Sequence, residues 1–393
     1  MNMPDPTPED GIFPWLDHLL QNRDSVAAFD ELAARFKRDK HYKALFDARL
    51  MQKRLELGLP LVSSARISDV PKDLQQTYQE AYLQAAREVG ELLLADRDIP
   101  RAWPYFRAIG DTGPIVRALD AFDIADMETP ESQDALGAAI QIAFHEGLHP
   151  RKGLELILKH HGLCRAITVF SAYPQGDDRH DSIRLLVRSL HDQIIDNLSV
   201  TIADVEGKPP DSRSIRTLID GRDWLFENNA QYTDSSHIAP VLELSGELND
   251  IETLKLAVEI ADYASRLGEM FQYPDDPPFE RAYHDRLIYL SALAGVDVDR
   301  AVRHFDGKAA RSDRDRDGYR PAEVLVELLI RLERYDDAIG AFRRYLMDAA
   351  PEDLSCPSIL QLCQMAGDFE QLKQVAKQQS DPLSYIAALI QKG

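Results

Sequence analysis

The sequence predicts an all-α protein built as a right-handed stack of antiparallel helix pairs. From Pro14 onward, nearly every segment carries apolar residues at three-and-four spacing, the period of an amphipathic helix. The breaks between segments fall at Gly and Pro, which end helices. Alternating β-branched runs are missing: only 61–62 and 199–205 read as weak strands, and neither has a hairpin partner.

Taken in order, residues 1–11 are acidic and proline-rich and read as a disordered or extended segment. A helical region then covers 12–95. Its longest candidate runs over about residues 40 to 57 and is stopped by Gly58 and Pro60. Residues 59 to 70 form a loop. Pro71 opens the next helix, with Leu74, Tyr78, Tyr82 and Leu83 along its apolar stripe. An irregular helical-repeat region is expected over 96–270, and more regular repeats over 271–393.

The repeat signal is an Ala-x-x-x-Phe pair, found at Ala102/Phe106, Ala166/Phe170, Ala301/Phe305 and Ala338/Phe342. The small residue lets two helices approach closely, and the aromatic ring fills the gap to the next pair. The clearest copy lies in residues 334 to 351, where Pro351 stops the helix. A weaker copy follows at Ala366 to Ala376, and Leu372 lies 34 residues after Ala338. A 34-residue period of paired helices resembles the tetratricopeptide repeat. The resemblance covers about residues 282–393 and is divergent: Ala322 stands where the family usually has Trp, and Val326 where it prefers Gly. It implies a helical solenoid that binds extended peptides along the concave face of each first helix. The matching positions here are Arg320, Glu323, Glu327 and Arg331, which would clamp a peptide electrostatically. The same spacing also reads as a ladder of ion pairs on an exposed face, with Glu327 supporting Arg331.

Charge narrows the partners. Lys and Arg total 45 against 66 Asp and Glu, a formal charge of −21. Binding a phosphate backbone or an anionic membrane needs the opposite balance, so neither nucleic acid nor membrane is expected. Basic peptides, cations and small molecules stay open. The N-terminus lacks the basic and apolar regions of a secretion signal. The three cysteines Cys164, Cys356 and Cys363 are widely spaced, which reads as three buried thiols in a reducing compartment. A cytoplasmic protein is the expectation.

Two motifs could carry chemistry. His145-Glu146-Gly147-Leu148-His149 is literally H-E-x-x-H, the zinc spacing in which Glu serves as general base. Six of the eleven histidines lie between residues 145 and 191, which makes a metal-dependent hydrolase the alternative function. Against it, Gly147 suits a helix end and Pro150 a helix start, so the natural parse breaks the helix between the two imidazoles. The second motif, Asp313-Arg-Asp315-Arg-Asp317-Gly318, resembles the first half of a calcium loop. Its bidentate Glu is missing, because position twelve is Val324. The simpler reading is a solvated, self-paired charge run capping the helix that starts near Pro321. Zinc at His145, Glu146 and His149, and calcium at the three aspartates, are therefore kept as alternatives. The main expectation is a scaffold without cofactor or catalysis that binds protein or peptide.

Overall fold

The computed structural model describes residues 12–22, 25–62, 70–123, 129–174, 176, 178–230 and 232–391. The expected disordered segment 1–11 lies outside the described residues. Among the described residues there are twenty α-helices and no strand, so the protein is all-α. None of these helices is long and apolar enough to cross a membrane. The chain divides into two compact units, Met1–Ile157 and Leu158–Gly393. The division falls within the stretch 96–270.

The first unit contains α1 (Ile12–Asn22), α2 (Ser25–Arg38), α3 (Tyr42–Glu56), α4 (Gln75–Ala95), α5 (Ile99–Ile109), α6 (Gly113–Asp120), α7 (Pro130–Ile140) and the start of α8 (Pro150–Phe170). The helices from α2 to α5 each pack on the next in chain order. Local signals set their ends. Asp98 caps α5 by accepting a bond from the Arg101 amide, and Thr129 caps α7 through the Ser132 amide. Pro71 does not open α4. It begins a turn, and the helix starts at Gln75, because Pro fits a first turn of either kind.

Ala102 and Phe106 of α5 are fully buried. Phe106 lies against Gly90 of α4, where an added Cβ would sit 2.6 Å from the ring. Gly therefore sets how closely α4 and α5 approach.

The second unit opens with α8 beyond its bend. Gly162 interrupts α8 with φ 80° and ψ 174°. Next come α9 (Arg179–Glu206), α10 (Ile215–Ile219), α11 (Ile238–Ser245), α12 (Ile251–Ser265) and α13 (Ala282–Leu293). These are followed by α14 (Val298–Arg311), α15 (Arg314–Asp317), α16 (Arg320–Arg331), α17 (Tyr335–Tyr345), α18 (Ile359–Met365), α19 (Phe369–Gln378) and α20 (Pro382–Gln391). The weak strand candidate 199–205 is the last two turns of α9. Leu198 and Ile202 continue the buried stripe of Leu190 and Ile194 at helical spacing, and a short β-branched run without a partner strand does not override that stripe.

The long helix α9 packs on α10, α11 and α12. From α16 to α20, each helix packs on its neighbour in sequence, and α14 packs on α16. Phe305 of α14 and Phe342 of α17 are buried with their partner alanines, as is Ala166/Phe170 of α8. Burying a Phe side chain contributes about 1.5–3 kcal/mol. Ser358 opens α18 with a capping box closed by Gln361, and Asp368 caps α19 through the Gln371 amide.

Two of the three cysteines are buried, as expected, but Cys164 is exposed. It follows the Gly162 break, on the outer side of α8. Burial pushes the Cys356 thiol up to about 12 and also raises Cys363.

Two tests follow from these contacts. Gly90→Ala should destabilise the protein by about 1–3 kcal/mol by overpacking Phe106, measured by urea unfolding; an unchanged midpoint would contradict the close approach. In native protein at pH 8, iodoacetamide should label one thiol rapidly, and Cys164→Ser should abolish that label. Rapid labelling of Cys356 would contradict its burial.

Candidate functional site

Helix α16 is buried almost all round. Pro321 to Val326, Leu328 and Leu329 are all buried, including Glu323 at 5% exposure. Such a helix cannot present four side chains to solvent, and its charged residues divide by role.

Glu323 accepts hydrogen bonds from the amide and hydroxyl of Ser355 and from the Cys356 amide, the last two at 2.9 and 3.3 Å. Arg331 donates to the carbonyls of Gly246 and Leu248, which follow α11. Both side chains therefore satisfy backbone groups of other segments, among them those of buried Cys356 and Leu248. Arg320 and Glu327 pair with each other at 2.9 Å, so Glu327 supports Arg320 rather than Arg331. Burial is the main cause of a raised Glu327 pKa; Glu323 adds to it and Arg320 opposes it.

Arg320 and Glu327 face a cavity of about 520 Å³ within the second unit. Its walls come from α11, α13, α16 and the loop before α13. Val324, Pro277, Phe279 and Tyr289 supply apolar surface. Glu243, Glu247, Asp275, Asp276 and Glu327 supply carboxylates, and Arg286 and Arg320 supply guanidinium groups. The size suits a small ligand or a few residues of a peptide.

Most of these charges are already matched. Glu247 receives a two-pronged pair from Arg179, both contacts at 2.7 Å. Arg179 lies over the Phe170 ring at 4.8 Å, and the Glu247 bonds are the leading cause of its raised pKa. Arg286 sits 4.0 Å above the Phe279 ring centroid and pairs with Asp275 at 3.2 Å. Tyr289 meets Phe279 and Phe305 edge-on, at centroid distances of 5.9 and 5.6 Å. Burial raises its pKa.

The residues of the two chemical motifs lie elsewhere. Gln141–His145 is a single π turn continuing α7, Gly147 has φ 71°, and Pro150 is the first residue of α8. The helix is thus broken where Gly147 and Pro150 break it in the sequence, and His145 and His149 do not share a helical face. His145 is exposed beside the Phe144 ring. Glu146 accepts from the Trp103 indole at 2.8 Å and from Arg107 at 3.3 Å. His149 contacts Asp120 at 2.9 Å.

Asp313 caps the short helix α15 through the Asp315 amide. Asp317 accepts from the Asp313 amide at 3.0 Å and pairs with Arg316 at 2.7 Å, which lowers its pKa. Among the described residues no group of three or more His, Cys, Asp or Glu is placed to hold a metal ion.

The sequence reading of the site missed Glu243, Arg286, Phe279 and Tyr289. Arg286 and Tyr289 lie three apart on α13, but Phe279 precedes that helix and Glu243 belongs to α11, so no single spacing joins the four. The one local cue is Pro277-Pro278, which marks a loop.

The split between the roles on α16 is measurable. Glu323→Ala should cost about 1–3 kcal/mol for each buried donor it strands, whereas Arg320→Ala, at half-exposed Arg320, should cost at most about 1 kcal/mol. Urea unfolding reads both, and equal costs would contradict the assignment. No family model, no curated protein and no solved structure matches this chain.

Proposed function

We propose that this chain is a non-enzymatic scaffold of the tetratricopeptide-like kind, an α-solenoid of antiparallel helix pairs that holds a protein or peptide. The observation that carries the reading is the cavity beside α16, whose wall includes Arg320 and Glu327, two of the four positions that the repeat resemblance marks for peptide contact. The packing of α16 to α20 in chain order supports a repeat array. So does the burial of Ala338, Phe342, Leu372 and Ala376, which hold the small and apolar positions of the two C-terminal copies.

The formal charge of −21 favours a basic segment as partner over nucleic acid or an anionic membrane. The reading places the protein in the cytoplasm, where its thiols stay reduced. It calls for no metal and no cofactor.

Panning the full chain against a displayed random peptide library tests the reading. Glu243 lies exposed at the cavity and makes no side-chain hydrogen bond to a described residue, so Glu243→Trp should block the opening without disturbing the fold. Peptides enriched on the native chain should lose about tenfold or more in capture on this variant, with an unchanged Tm. Equal capture by both proteins, or no enrichment at all, would overturn the proposal.

A further inference from the structure

Two carboxylates and one hydroxyl in the α16 cavity have no side-chain partner among the described residues. Three of its five carboxylates are neutralised, Glu327 by Arg320, Asp275 by Arg286 and Glu247 by Arg179. Glu243 and Asp276 are exposed and carry no ion pair with a described residue. Deeper in the wall, Tyr289 is only 7% exposed. It is held by ring contacts with Phe279 and Phe305, and its hydroxyl has no hydrogen-bond partner among the described residues. Its ring is buried, while the hydroxyl oxygen keeps contact with open space. Here it lines a cavity wide enough for a ligand group.

Charge decides what that group is. Both guanidinium groups of the wall are held by carboxylates, so an incoming anion would have to break an existing pair. An incoming cation breaks none and meets two free carboxylates. Donors on the cation can also satisfy the acceptor oxygen of Tyr289.

We infer that the cavity receives the cationic head of an arginine or lysine side chain from a bound peptide, with Tyr289 accepting a hydrogen bond from it and Glu243 and Asp276 balancing its charge. This rests on the peptide-scaffold reading and names the residue type that the scaffold selects. The shared chemistry is an organic cation with N–H donors, which a free polyamine could also supply.

Isothermal titration of the full chain separates the cases. The probes are N-acetyl-Gly-Arg-Gly-amide, its lysine counterpart, the neutral citrulline counterpart and spermidine. The charged tripeptides should bind saturably and about tenfold or more tighter than the citrulline form. The affinity should fall with added salt.

Tyr289→Phe removes only the unpartnered oxygen. It should weaken arginine binding about fivefold or more while leaving Tm equal or higher, because no bond in the free protein is lost. Glu243→Gln should weaken binding with no change in Tm. Unaltered affinity in both variants would overturn the inference.

If spermidine binds and neither charged tripeptide does, the peptide-side-chain assignment falls, while the scaffold reading is still decided by the displayed-peptide capture. If no cation binds, yet displayed peptides still lose capture on Glu243→Trp, the cation assignment alone is overturned.

Discussion

Helix α16 is fixed by two charged side chains, Glu323 and Arg331, bonded to the backbone of other segments of the second unit. Glu323 gathers the Ser355 hydroxyl and two amides of the 355–356 segment. Arg331 reaches the two carbonyls beyond α11. A charge on one helix satisfied by another segment's backbone fixes separation and register together, since neither end can move without stranding a polar group. With α16 held between those segments, its remaining pair, Arg320 and Glu327, is left in a cavity wall rather than at a packed interface.

The sequence made the helices legible but not that arrangement. Periodicity read the all-α class, and the four Ala/Phe pairs it singled out are all in the core. The helix break within 145–150 was also legible, because Gly147 and Pro150 act through their own backbone geometry. Where the reading failed, a longer-range effect prevailed. The 199–205 stretch has β-branched residues, yet it continues the apolar stripe of α9. Pro71 stands four residues ahead of the helix it seemed to start. Cys164, an apolar residue by type, falls on the outer side of α8.

The site was half legible for a related reason. Arg320, Glu323, Glu327 and Arg331 were found by spacing, and spacing alone cannot separate a side chain that bonds another segment's backbone from one that faces a cavity. Two of the four proved to be tethers. Tyr289, Phe279, Arg286 and Glu243 share a cavity only because α11, α13 and the intervening loop converge, and convergence of distant segments leaves no local pattern. The carboxylates left unpaired in the cavity share the sign of the whole chain's formal charge.

The most direct measurement is a crystal structure of the full chain grown with N-acetyl-Gly-Arg-Gly-amide. The guanidinium should lie in the cavity within about 3 Å of the Tyr289 hydroxyl oxygen, with the Arg320–Glu327 and Arg286–Asp275 pairs intact. A cavity filled by the protein's own side chains, or a guanidinium bound elsewhere with Tyr289 still unpartnered, would contradict it.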